Sequence, residues 1–276
     1  MTFVPGDYVD RANVDEPTRQ RLELELRGVM RGDVEFDTSS RSIFATDSSN
    51  YRQIPLGVVY PLDEDDVRNA VEVCRRFNAP ILGRGAGTSL AGQACNVAVV
   101  VDMSRHMNSI LSIDPERRTA RVQPGVVLDQ LNASARALDL TFGPDPATHA
   151  WCTLGGMVGN NSCGTHGLYT GKTVDCVDEI VVITYESERI VLGRCDDARY
   201  EELTREGGDQ GRIVRELREL RDDFADELRS GFPAISRRVS GYNLDQLLPC
   251  LLYTSLGRNP GPTHRHALAQ YGGDGD

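Results

Sequence analysis

Apolar residues recur at helical spacing in several stretches of the chain and cluster at strand length in others. Residues 16–30 carry Leu22, Leu26 and Val29 on one face, with Pro17 where helices favour a proline. From Asp63 to Phe77 the period is cleaner. Val67, Val71, Cys74 and Phe77 follow it, Asp63 is placed to cap the helix start, and Glu64, Asp65 and Asp66 suit its positive end. Residues 127–138 predict helix through Leu128, Leu131, Ala135 and Leu138. Ile213, Leu217, Leu220, Phe224 and Leu228 predict one long helix. Short apolar runs lie between: residues 57–60, 81–82 and 97–101 have strand length, and 109–114 with 119–123, and 177–184 with 189–192, form two strand pairs around four-residue turns. Helices set against short strands predict an α+β protein.

The 276 residues suffice for one large or two small domains with a buried core. With 30 Lys+Arg against 41 Asp+Glu the net charge is −11, and no basic block is present, which argues against binding a nucleic-acid backbone. The longest apolar run, residues 97–101, is far short of the roughly 20 residues of a membrane span, so no integral membrane segment is expected. The first residues lack a basic patch followed by an apolar stretch, so no secretory leader is expected either. Seven cysteines without C-x-x-C spacing predict reduced thiols and a cytoplasmic protein. The acidic clusters at 63–66 and 222–223 are expected on solvated helix faces. Past Leu252 no apolar period survives and glycine and proline accumulate. The expected organisation is therefore a helical lead-in over 1–49, a folded domain over 50–249, and an aperiodic, disordered or non-native tail over 250–276.

Two glycine-rich segments carry the chemistry. In the first, Arg84, Gly85, Ala86, Gly87, Thr88 and Ser89 precede Gly92, a pattern that lets backbone N–H groups converge on an anion such as a pyrophosphate. A tight turn between strands is the competing reading. It is not a dinucleotide fingerprint of the Rossmann type, because Leu90 stands where a third glycine is required and a strand, not a helix, follows. The stretch from Gly167 to Thr173 imitates a P-loop but has one residue too few between its glycines. The second segment runs from Phe142 to Gly164 and contains Pro144, Asp145, Thr153, Gly155, Gly156, Asn160, Asn161 and Gly164. Thr153 can cap a helix, the glycines permit close approach of a flat ligand or phosphate, and the asparagines supply amide groups for a heterocycle edge. His149, His166, Cys152 and Cys163 lie nearby, but their spacing matches no metal site.

In this order, the blocks at 80–92, 122–126, 142–146, 152–157 and 239–244 resemble the FAD-binding domain of the vanillyl-alcohol oxidase and p-cresol methylhydroxylase superfamily. Within it the chain is similar to the first part of large bacterial D-lactate or D-2-hydroxyglutarate dehydrogenase-type proteins that end in an iron–sulfur module. The resemblance implies a PCMH-type domain of two α+β subdomains that binds FAD. It places Arg84 to Ser89 around the pyrophosphate; Pro144, Asp145, Thr153 to Gly156 and Asn160 to Gly164 at the flavin and ribityl side; and residues 177–184 beside the adenine. It further implies a hydroxy-acid substrate whose α-hydrogen passes to the flavin as hydride, with electrons leaving through an iron–sulfur relay. Residues past 249 depart from the family where a substrate-capping domain is expected. The chain alone is therefore expected to be an inactive fragment with no assignable catalytic residue. The alternative is a non-catalytic flavin-binding module that relies on a partner chain.

Overall fold

The central strands of the first half are apolar on both faces because both faces are covered. In the computed structural model, which describes residues 14–193, 195–233, 242–248 and 268–270, these strands are β2 (Gly57–Tyr60) and β4 (Val99–Asp102), buried throughout. They pair in parallel inside a sheet of order β1-β2-β4-β3, with β1 (Asp33–Glu35) antiparallel at one edge and β3 (Ile81–Arg84) parallel at the other. On one face, Val59, Val99 and Val101 pack with Leu22 and Leu26 of α1 (Glu16–Val29) and with Ala70, Val73 and Cys74 of α3 (Glu64–Arg76). On the other, Val58, Tyr60 and Val100 meet Phe44, which follows α2 (Thr38–Ile43).

Asp63 caps α3 as expected, its side chain accepting from the amides of Asp65 and Asp66. Asp66 is not on a solvated face. It is fully buried, and its carboxylate accepts from the backbone N–H of Arg31 (2.9 Å), Gly32 (2.9 Å) and Leu62 (3.0 Å), tying the turn after α1 to the start of α3. Burying a carboxylate is tolerated when it collects several charge-assisted hydrogen bonds.

A second core lies under β5 (Ile110–Asp114) and β6 (Thr119–Val122), α4 (Leu128–Arg136), β7 (Leu140–Phe142) and α5 (Leu154–Asn160), and holds Val126, Leu128, Leu131, Phe142 and Met157. The short helix α6 (Gly167–Thr170) follows α5. The hairpin of β8 (Ile180–Ile183) and β9 (Arg189–Leu192) returns to α3: Arg68 and Ser187 exchange two hydrogen bonds, and Arg75–Glu186 and Arg189–Glu64 form ion pairs at 2.5 and 2.6 Å.

The predicted long helix is divided into α8 (Gly208–Asp223) and α9 (Ala225–Ser230), preceded by α7 (Asp197–Glu206). The division falls at Phe224 (φ −114°, ψ 21°), directly after Asp222 and Asp223, whose charges oppose the negative end of a helix. Leu268–Gln270, here β10, pairs antiparallel with β7; the rest of 250–276, and the block at 239–241, lie outside the described residues.

Candidate functional site

β3 ends at Arg84, and its chain must turn out of the sheet before β4 can pair beside it. The Arg84 side chain turns inward: Nη1 donates to the carbonyls of Ala94 (2.6 Å) and Phe44 (3.2 Å), Nη2 to that of Thr46 (2.9 Å), and the guanidinium lies over the Phe44 ring at 5.0 Å. It thus gathers the loop after α2 and the far limb of the glycine loop around one cation. Asp47 and Ser48 add to this. Asp47 accepts from the Ser49 and Ala94 amides, and the Ser48 amide donates to the Gly87 carbonyl at 3.0 Å. Desolvation pushes the Asp47 carboxyl up, but the hydrogen bonds from Ser49 and Ala94 outweigh it and hold the group below its ordinary value.

The loop so supported is tied through the Gly87 carbonyl, and its amides are left open. Gly87 has φ +70°, a left-handed conformation that glycine adopts without strain. Among the described residues none accepts a hydrogen bond from the amides of Gly85, Ala86, Gly87, Thr88 or Ser89. Successive unpaired N–H groups at a strand end make an anion-binding concavity.

The second glycine segment comes to this loop. A Cβ built on Gly85 would overlap the hydroxyl of Thr153, so only glycine lets the two segments touch. Thr153 is buried, caps α5 through Gly156 N–H (3.2 Å), and bridges to Val127. The other leading amides of α5 are also taken: Leu154 donates to the Val126 carbonyl and Gly155 to the Pro124 carbonyl, both at 2.8 Å. The glycine at 155 therefore serves to seat α5 on Pro124, whose Cβ a side chain there would meet at 2.8 Å. This helix start offers no open amide among these three.

Beyond α5, Asn160 is exposed and Asn161 adopts the left-handed conformation (φ 47°) that ends the helix, its Oδ1 accepting from Val174 N–H at 3.1 Å. Gly164 is pressed against Asp145, which follows buried Pro144. The Asp145 carboxylate accepts from Thr165 Oγ1 (3.1 Å), His166 N–H (3.1 Å) and His166 Nδ1 (2.5 Å). Desolvation raises its pKa, yet these bonds, led by the one from the imidazole, leave it below the ordinary carboxylate value. His149 is paired apart from it, with Asp129 at 2.8 Å.

The first segment is a loop and Thr153 opens a helix in the second, as the sequence suggests, but the support beneath them was missed. The 44–48 loop and the 165–166 pair carry no periodicity or motif of their own, and nothing in the block at 122–126 shows that Pro124 seats α5. Among the described residues no helix is long and apolar enough to cross a membrane.

Known proteins resemble this chain in sequence and in fold. Over 229 residues the chain is 37% identical to a D-2-hydroxyglutarate dehydrogenase of Pseudomonas putida, covering 82% of this chain and 23% of that protein. A glycolate oxidase subunit of Escherichia coli is 39% identical over 147 residues, covering 52% of this chain and 29% of its own length. The chain thus spans about a quarter of the length of these relatives. The fold is shared with p-cresol methylhydroxylase at a TM-score of 0.56 and 19% identity, over 66% of this chain and 36% of that one. Residues 55–193, which hold both glycine segments and everything that joins them, match the family described as "FAD binding domain", and the chain belongs to that family.

Proposed function

We propose that the chain is the FAD-holding part of a flavin-dependent dehydrogenase that acts on a D-2-hydroxy acid. The observation that carries this reading is the run of five amides, Gly85 to Ser89, without a partner among the described residues and held open by the Arg84 staple. A pyrophosphate suits such a run, because its oxygens accept from several adjacent N–H groups at once. The glycines support it too, since side chains at positions 85 and 87 would collide with Thr153 and with the Arg84 guanidinium and disturb the loop that presents these amides.

In this reading Gly85 to Ser89 bind the pyrophosphate, while Arg84 and Ser48 hold the loop in shape from behind. Thr153 fixes the start of α5 against that loop. Pro144, Asp145, Asn160, Asn161 and Gly164 line the ribityl and ring side, and β8 runs beside the adenine. When bound, FAD supplies a two-electron acceptor for the hydrogen on the carbon that bears the substrate hydroxyl. Electrons leave through an iron–sulfur relay outside residues 55–193. The hydroxy-acid class is supported by the names of the relatives, which act on D-2-hydroxyglutarate and glycolate.

The test is to purify the chain, add FAD or FMN, and measure what is retained. One FAD per chain, with FMN held much more weakly, is the expected result, because FMN lacks the pyrophosphate that the amides hold. Equal affinity for the two flavins refutes the assignment.

A further inference from the structure

Residues 44–53 precede the stretch that matches the family, yet they hold the glycine loop at both ends. The Ser48 amide donates to the Gly87 carbonyl at 3.0 Å, and the Tyr51 ring lies where a side chain on Gly92 would stand. One side chain ties this segment together. Asp47 accepts from Ser49 N–H at 2.8 Å and from Ala94 N–H at 3.3 Å. The first bond, from two residues on, closes a local turn and fixes the two peptides inside it, and so the direction of the Ser48 amide. The second joins that turn to the far limb of the loop, beside the Ala94 carbonyl that Arg84 holds. Asp47 lies outside the helices and strands, so no regular element would keep this turn in place without its carboxylate.

A loop held in this way meets its ordering cost during folding. The open amides of Gly85 to Ser89 are then arranged before a ligand arrives, and the ligand does not have to arrange them. Without the Asp47 carboxylate the Ser48 amide is free to leave Gly87, and part of that cost passes to the binding step. A ligand that draws its affinity from the amides loses most by the change. A flavin held mainly by its ring and ribityl chain loses least.

Resting on the function proposed above, we propose that Asp47 is a positioning residue that holds the glycine loop in the shape that takes a diphosphate, and thereby sets the preference of the site for FAD over FMN. Asp47 acts through Ser48 and Ala94 and does not touch the ligand. The carboxylate is itself an anion, and on charge alone its removal would tighten FAD. Its hold on the loop outweighs that repulsion, because two amides and the Arg84 cation already face its charge.

The experiment titrates FAD and FMN into the intact chain and into Asp47→Ala, Asp47→Asn and Asp37→Ala near neutral pH, with urea midpoints taken on the same flavin-free chains. Asp37 is the control because it is the same kind of group. It caps α2 by accepting from the Ser39 and Ser40 amides, and none of its bonds reaches the glycine loop. Asp47→Ala is expected to weaken FAD about tenfold, roughly what one lost capping interaction is worth when its cost moves to binding, and FMN less than about threefold. Asp47→Asn should lose less, because its carbonyl oxygen still accepts from one of the two amides. Asp37→Ala should lower the urea midpoint and leave the ratio of the two affinities unchanged. If Asp47→Ala does not fold, Asp47→Asn carries the measurement, and its ratio of FAD to FMN affinity must fall by more than about twofold. An unchanged ratio, or tighter FAD, in a folded Asp47 variant overturns the proposal while leaving FAD binding intact. Failure of the wild-type chain to take up FAD, or equal affinity for FMN, refutes the function on which the proposal rests.

Discussion

The contact between Gly85 and Thr153 joins the two glycine segments, and a double substitution tests it directly. Gly85 is outside the left-handed region, so alanine is compatible with its backbone and only the space is at issue. The added methyl would overlap the Thr153 hydroxyl, and overpacking of this kind costs about 1–3 kcal/mol. Thr153→Ala alone removes a helix cap, a loss of about 1 kcal/mol. It also removes the oxygen that the new methyl strikes, and the next nearest atom, the residue 153 Cβ, lies at 3.5 Å, an ordinary contact. The pair Gly85→Ala with Thr153→Ala should therefore cost about as much as Thr153→Ala alone, a coupling of about 1–3 kcal/mol in its favour. Urea midpoints of the flavin-free chains give the stabilities, and fluorescence titration gives the FAD affinities. Gly85→Ala should weaken FAD binding, and the double variant should recover most of it. Costs that simply add, within about 0.3–0.5 kcal/mol, would show that the two segments do not press on one another.

Gly87→Val should abolish FAD retention on gel filtration, because a β-branched residue resists φ +70° and its Cβ would meet the Arg84 guanidinium; Gly83→Ala, which meets nothing within 4 Å, should retain it. Asp66→Asn should destabilise the chain by about 3 kcal/mol in urea unfolding, since one carboxylate oxygen becomes an NH2 group facing backbone donors. The depressed pKa of Asp145 fixes a sign for acid unfolding: its contribution is complete above the ordinary carboxylate value of 3.8 and is lost as pH falls through the lower folded value. Asp145→Asn should accordingly flatten the dependence of Tm on pH below about 4, and an unchanged slope would show that this carboxylate is not linked to folding.

What the sequence revealed and what it hid follow the range of the interactions involved. α3 was legible because its cap, its acidic first turn and its apolar face all lie within residues 63–77. The two hairpins were legible from runs that meet across short turns. Asp66 was misplaced because its burial depends on Arg31 and Gly32, more than thirty residues away, folding over the start of α3. Within its own cluster it is indistinguishable from Asp65, which is exposed. Arg84 shows the same limit at the site. Its place at the head of a glycine loop says nothing of where its side chain goes; three carbonyls, two of them from the 44–46 loop, take it. The glycines at 85, 155 and 164 were visible as glycines, yet the atoms that require them, on Thr153, Pro124 and Asp145, are distant or irregular in sequence.

The seam between the two cores gives FAD a structural role as well as a chemical one. Besides the Gly85–Thr153 contact and the seating of Gly125 on Met103 and Met107, it is closed by the β8–β9 hairpin on α3. There the apolar part is small, with Ile183 against Val67, Val71 and Met107. The rest is polar: Arg75, Glu186, Arg189 and Glu64 are each more than two-fifths exposed, and pairs of that kind contribute about 0–1 kcal/mol apiece. The five open amides lie beside this seam, in the loop after β3 where Gly85 meets Thr153 of the second core. A ligand that satisfies them, lies along α5 and reaches β8 touches elements of both cores at once. Its binding free energy then adds to a boundary that the protein closes only weakly, about 2.7 kcal/mol at a hundredfold excess over Kd. Flavin-free chain should therefore open first at the β8–β9 hairpin, where amide exchange is fastest, and added FAD should slow exchange there more than in the buried strands β2 and β4.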